Sequence, residues 1–405
     1  MYHFATLFCK QLLFIIVSVN LNSALQSQDY FSYSKENANN SIEYNKVVHF
    51  LNKNPTYFKK YHLTREGERI LDYLHLYAVH APELKGSDSF LQSILSSTSS
   101  SSSGIIRKTL EIVITAFPNR FTAQVVKLAK ETSDYRILFL SALYLKESGE
   151  HPEFLDHKLN QFSNKYNELF FEKPIVKLPP IDDLLEIQEN LKEWIIFAFR
   201  DKTSGFLIIR TPENKFVSKE GKVLKIPFMA KSVIHLPFYA PMGDTPQGVY
   251  RILGTAKSSN PRIGPTPVIR LGLPMEISVQ TFFPEFVNSE WSPEVIQTFF
   301  PKSWERYDKI LQSYHAGWNG RSGIWVHGST LDPEKFTNYT GSKVHTLTYG
   351  CIALPEVWKE GNLKKSDQRT LVSVIGSGKG YLLLFDLEGK EWEELEDSLK
   401  TKKAP

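Results

Sequence analysis

Apolar residues in this chain change their spacing around Pro179-Pro180, and that change constrains the fold more than any other feature. Ahead of it, from about residue 41 to 190, they recur at intervals of three and four, as one face of a helix requires. Thr64 is placed to cap a helix carrying Ile70, Tyr73, Leu74 and Tyr77. Ile106, Leu110, Val113 and Phe117 repeat the spacing, and Asp134 precedes Ile137, Leu138, Ala142 and Leu145. A last helix is expected from Ile181 to about Phe199. The serine-rich run from Ser96 to Ser103 reads as a flexible surface loop.

Beyond that helix the runs are β-branched and aromatic, which suits a pleated, buried surface. Strands are expected at Phe206–Arg210, Phe216-Val217, Lys222–Phe228, Val249–Leu253, Val268–Leu271, Gly323–His327, Leu371–Ile375 and Tyr381–Phe385, mostly antiparallel. Two aromatic segments, Phe282–Phe286 and Phe299–Pro301, read either as a lid over a groove or as a hydrophobic helix pair. The charged end, residues 388–405, reads as a solvated helix or a disordered tail. The fold class is therefore α+β, with helices at 25–190 and a β-rich domain at 191–387.

Residues 1–24 read as a secretory signal: one lysine, the apolar stretch Gln11 to Val19, then small and polar residues, with Ala24 the last to be removed. The apolar stretch is short of the ~20 residues of a membrane span. An uncleaved anchor or a buried N-terminal helix is the alternative. The chain is expected in the periplasm or cell envelope. Its 48 basic and 44 acidic residues leave a net charge of +4, too weak a field to draw nucleic acid.

Once such a signal is removed, Cys9 goes with it and Cys351 remains as a lone thiol. An exported protein that keeps one unpaired cysteine uses it for an intermolecular disulfide or as a reactive group. Buried packing is the third role of a free cysteine. As a nucleophile it must be a thiolate, and a free thiol with a pKa near ~8.5 needs a base or a cation nearby. His327, at the end of an apolar run, is the candidate base; Gly350 lets the chain turn so that amides at Gly350 and Cys351 face a developing oxyanion. Thr348, Tyr349, Gly328, His345 and His315 are candidates for the substrate side. His345 also reads as a solvated loop residue, His315 as part of a packed aromatic turn, and His235 as structural.

Three segments occur in a telling order: Thr245-Pro246-Gln247-Gly248-Val249-Tyr250, then Val326-His327-Gly328, then Thr348-Tyr349-Gly350-Cys351-Ile352. This resembles the catalytic domain of the L,D-transpeptidase (YkuD) family, whose pattern is T-P-x-G-x-[FY], an apolar strand ending in H-G, and [ST]-H-G-C-[IL]-[RN]. The likeness covers about residues 206–375, and the helical half matches no family by motif. It implies a β-rich catalytic fold and acyl transfer on peptidoglycan stem peptides. Cys351 would attack the carbonyl of the third residue, His327 would act as base, and Gly350 with Cys351 would form the oxyanion hole. No metal or organic cofactor would be needed, a carbapenem would be a covalent inhibitor, and the helical half would meet the wall or a protein partner. Two positions depart from the pattern: Tyr349 stands where the family has histidine, and Ala353 where it has arginine or asparagine. The connection from His327 to Cys351 is longer than the family's, with an enlarged loop at 335–345.

Overall fold

The structure is a computed structural model that describes residues 88–96, 103–162, 177–232, 236–240, 242–258, 266–286, 289–328, 348–359 and 362–402. The expected signal, the Thr64 helix, most of the serine-rich run, the 335–345 loop, His235 and His345 lie outside these residues. The chain divides into two compact units between Lys177 and Leu178, ahead of the boundary expected near 190.

The N-terminal unit is helical: α1 (Asp88–Leu95), α2 (Ser103–Ala116), α3 (Thr122–Glu131), α4 (Tyr135–Glu147) and α5 (Phe154–Phe162). Leu110 and Val113 of α2, Val125 and Leu128 of α3, and Leu138 and Leu145 of α4 are buried together as its core. The Tyr144 hydroxyl accepts from the Phe121 N–H at 2.7 Å and donates to the Phe117 carbonyl at 3.2 Å, tying the α2–α3 turn to α4. Asp134 caps α4 as the sequence predicts, its carboxylate accepting from the N–H groups of Arg136 and Ile137 at 2.9 and 3.4 Å. Asp134→Ala leaves those first-turn donors without the side-chain acceptor and is expected to cost about 1 kcal/mol of this unit's unfolding free energy, measured by urea denaturation.

The C-terminal unit is built on an eight-stranded closed barrel. After α6 (Ile181–Leu185) come β1 (Trp194–Asp201), β2 (Ser204–Arg210), β3 (Ser218–Lys219), β4 (Lys222–Val223), β5 (Ile226–Met229), β6 (Gly248–Ala256) and β7 (Val268–Gly272). Then follow α7 (Val279–Phe282), α8 (Pro293–Gln297), α9 (Gln312–Trp318), β8 (Trp325–Gly328), β9 (Ile352–Leu354), β10 (Glu356–Lys359), β11 (Asn362–Ser366), α10 (Asp367–Ile375), β12 (Gly380–Asp386) and α11 (Lys390–Thr401). Around the barrel the order is β1-β12-β6-β7-β8-β9-β5-β2; β3–β4 and β10–β11 are separate hairpins. The pairs β1–β12 and β8–β9 are parallel and the other barrel neighbours antiparallel, so the sheet is mostly antiparallel, as expected. Parallel partners need a long connection, and residues 329–351 lie between β8 and β9 in the sequence.

Period-two alternation sorts the strand residues into two cores. Ile196, Ala198, Leu207, Ile209, Ile226, Phe228, Tyr250, Ile252, Ile269, Val326, Ile352 and Leu382 come from every barrel strand and fill the interior, with Leu371 and Ile375 of α10 packed on them. Ile195, Phe197, Phe199, Ile208, Val249, Tyr381, Leu383 and Phe385 form an outer core on one side of the barrel. Thus 194–199, expected as the end of a helix, is strand β1, because each face of it meets its own apolar layer. The outer core is covered by Phe282, Phe283, Phe299, Phe300 and Trp304, all at most 5% exposed, so the aromatic segments are core rather than lid. The charged end is also structural: α11 inserts Leu395 and Leu399 into the same core, and Trp392 packs on Phe206 with centroids 5.6 Å apart. Residues 371–375, expected as a strand, belong to α10, which Ser366 caps by accepting from the Arg369 N–H at 2.9 Å.

Candidate active site

Strands β8 and β9 run in parallel with Val326 opposite Ile352, His327 opposite Ala353 and Gly328 opposite Leu354. Since Val326, Ile352 and Leu354 point into the barrel, His327 and Ala353 face outward. Cys351 immediately precedes β9, two residues from Ala353, at the end of the strand that pairs with the one carrying His327. The fold thus sets His327, on β8, and Cys351, just ahead of β9, on adjacent runs of chain. Cys351 is partly buried.

His327 is buried, and its Nδ1 lies 2.8 Å from the Gly328 carbonyl. A carbonyl can only accept, so Nδ1 carries the proton and Nε2 keeps a lone pair. Burial pushes the imidazole pKa down to about 4, with the Gly328 hydrogen bond a smaller opposing effect. His327 is therefore neutral, in the tautomer a general base requires. In the unfolded chain it titrates near 6.5, so below that pH the unfolded state binds more protons. The stability of wild type relative to His327→Gln is expected to be constant above pH 6.5 and to fall by about 3 kcal/mol as pH drops from 6.5 to 4, read from urea unfolding across that range.

Gly328 is a glycine for a steric reason: a Cβ there would lie 2.3 Å from the Glu356 carboxyl. That carboxyl is buried and accepts from the Thr266 hydroxyl and, at 2.7 Å, from that of Ser366. Burial raises its pKa, with the two hydrogen bonds opposing.

The thiol is cradled by the start of β8. Cys351 Sγ lies 3.8 Å from the Gly323 carbonyl, and in this arrangement the thiol is directed there rather than to the imidazole. Burial raises the thiol pKa, while a hydrogen bond from the Trp325 backbone N–H and the charge of Arg321 oppose it. Both members of the pair thus rest neutral.

The turn ahead of Cys351 is held by two side-chain hydrogen bonds. Gly350 has φ +83°, in the region that favours glycine. Thr245 Oγ1 donates to the Gly350 carbonyl at 3.1 Å, and Thr348 Oγ1 donates to the Lys231 carbonyl at 2.7 Å. A trans peptide points its N–H opposite to its carbonyl, so fixing the Gly350 carbonyl on Thr245 aims the Cys351 N–H the other way. The Thr245–Tyr250 segment, which reads in sequence as a turn before a strand, is thus bonded directly to the turn ahead of Cys351. It is anchored in its own right. The Thr245 carbonyl accepts from Arg200 at 2.9 Å, Arg200 pairs with Asp386 at 2.5 Å, and the Gln247 amide donates to Asp386 at 2.9 Å.

Of the other expected site residues, Tyr349 sits partly buried in the turn. His315 lies on α9 with its ring edge-on to Tyr314 at 5.5 Å, and its carbonyl accepts from Asn319 at 3.1 Å; it is part of a packed aromatic helix. Sequence reasoning missed Arg321, which packs beneath Gly350, and the bond from Thr245 to Gly350. An arginine one residue after Asn319-Gly320 carries no local sign of the turn it reaches.

No family model matches the sequence, and no curated protein matches it. Among solved structures the chain is similar to the helical cell shape determining protein Pgp2 from Campylobacter jejuni, at 14% identity over 50% of this chain and 52% of that one, with a TM-score of 0.23. That score does not establish a shared fold, and the chain spans about half the length of that protein.

Proposed function

We propose that the protein is an exported cysteine acyltransferase acting on peptidoglycan stem peptides. The observation that carries this reading is the parallel pairing of β8, which holds a neutral, Nδ1-protonated His327, with β9, which Cys351 immediately precedes. The likeness of the Thr245, His327 and Cys351 segments to the L,D-transpeptidase pattern supplies the substrate class.

In this mechanism the thiol turns from the Gly323 carbonyl to His327 Nε2. As Sγ bonds to the carbonyl carbon of the third stem residue, its proton passes to Nε2, and the carbonyl oxygen takes up the negative charge against the Cys351 N–H. Collapse breaks the C–N bond to the terminal D-alanine, whose amine receives the proton from the imidazolium. The thioester is then taken by an amine, giving a cross-link, or by water, giving L,D-carboxypeptidase or cross-link hydrolase activity. Peptidoglycan lies outside the cytoplasmic membrane, so the reading includes export through the 1–24 signal.

A second reading, a non-catalytic peptidoglycan-binding protein, is favoured by one observation: the resting thiol bonds to the Gly323 carbonyl and not to His327. Incubating the full chain with tetrapeptide stem fragments and resolving the products by mass spectrometry separates the two. The enzyme reading predicts Cys351-dependent release of D-alanine, with the co-product naming the acceptor. Retention of unchanged peptide on wild type and Cys351→Ala alike would leave binding as the function.

A further inference from the structure

Helix α9 ends in a tight C-terminal motif. The Gly320 N–H donates to the Gly317 carbonyl, the Arg321 N–H donates to the Ala316 carbonyl at 3.0 Å, and Gly320 takes φ +84°. This is the left-handed cap that glycine permits, and it turns the next residue back across the helix end. Arg321 follows at once. Its side chain enters the interior and donates to the carbonyls of Phe238, Gly243 and Asp244. It is 3% exposed.

The far end of that guanidinium lies against the nucleophile turn. A Cβ added to Gly350 would be 1.9 Å from Arg321 Nη2, so the group packs on the Gly350 Cα, one residue from the thiol. Its three acceptors are neutral carbonyls. The nearby Asp244 carboxylate is turned to the Ser232 N–H at 3.0 Å. A buried cation whose hydrogen bonds all go to neutral carbonyls, with Asp244 acting on it only through space, favours a further anion beside it.

We propose that Arg321 is a positioning residue that supplies the positive charge favouring the Cys351 thiolate. It acts from beneath Gly350, on the element that follows α9. Ala353, opposite His327, brings no charge to the β8–β9 pair. The proposal rests on Cys351 being the reactive thiol. The charged and titratable groups around the guanidinium are Asp244, Tyr250, Arg200 and Cys351 itself. Burial lowers the Arg321 pKa to about 10, with Tyr250, Cys351 and Asp244 opposing, so it remains a cation at neutral pH.

The test is the rate of Cys351 alkylation by iodoacetamide against pH, in the full chain with Cys9 replaced by serine, for wild type, Arg321→Gln and Arg321→Lys. Removing the charge is expected to move the thiol's titration up by about one pH unit, a roughly tenfold slower alkylation on the rising limb of the profile. Arg321→Lys keeps a charge but loses the planar fork, and is expected to stay close to the wild-type profile. A folded Arg321→Gln with the wild-type profile would overturn the proposal. A profile in Arg321→Lys that is raised like that of Arg321→Gln would overturn it as well. Should Arg321→Gln fail to fold, Arg321→Lys alone decides, and its own failure to fold would show that the hydrogen-bonding fork is what the site needs. Alkylation requires no peptidoglycan, so this result stands apart from whether the chain turns over stem peptides.

Discussion

Cys351→Ala is expected to reduce D-alanine release from a tetrapeptide stem to the background rate, because in the proposed mechanism the thiol carries the acyl group. His327→Ala is expected to lower the rate by roughly a thousandfold, since Cys351 is then left as a neutral thiol with no base at Nε2. The two changes do not add. Once the nucleophile is gone the base has no proton to take, so the double variant matches Cys351→Ala. Single-turnover rates on the three variants, with melting temperatures to confirm folding, check this. A double variant slower than Cys351→Ala by another thousandfold would mean that His327 acts in a step that does not involve the thiol.

Gly350→Ala should remove both activity and stability. The residue has φ +83°, which costs a residue with a side chain about 1–2 kcal/mol. Its new Cβ would also lie 1.9 Å from Arg321 Nη2 and 2.3 Å from the Gly243 carbonyl oxygen. The arginine tip is pinned by three carbonyls and the second obstacle is backbone, so neither moves aside cheaply; overpacking of this kind costs about 1–3 kcal/mol. The turn must shift, and with it the Cys351 N–H that the proposed mechanism sets against the oxyanion, for an expected rate loss of roughly a hundredfold. Gly221→Ala is the control: φ is +74°, yet nothing lies within 4 Å of its added Cβ. It should show the backbone cost alone and full activity. Equal rate losses in the two variants would remove the steric argument.

Local signals in the sequence led to the right structure where the physics is local. Asp134 caps α4 because its carboxylate reaches N–H groups two and three residues on. The runs at β2, β6, β7 and β12 are strands as read. Misreadings arose where two apolar layers compete for one segment. In Trp194 to Phe199 both faces are buried, so the strand shows no polar alternation and looks like a buried helix. Leu371 to Ile375 is rich in β-branched residues, but the cap at Ser366 and the i, i+4 pair Leu371 and Ile375 on the interior core make it a helix. Buried leucines in α11 were masked by its surrounding charge.

The site shows the same division. Cys351, Gly350 and His327 stand out as candidates because reactive residue types beside glycine are visible in one dimension. Their supports do not. Thr245 bonds to Gly350 across 105 residues, and Arg321 reaches carbonyls 77 or more residues away. Only the closed barrel, with β5 joining β9 at Met229 and Ala353, brings those loops beneath the turn ahead of Cys351.

The most direct test of the Cys351–His327 reading is the intact mass of the protein after incubation with a tetrapeptide stem or, separately, a carbapenem, followed by peptide mapping. An adduct on Cys351 that is absent in Cys351→Ala and strongly slowed in His327→Ala is the predicted result. A thiol that stays unmodified in the folded protein and reacts only after unfolding would contradict it.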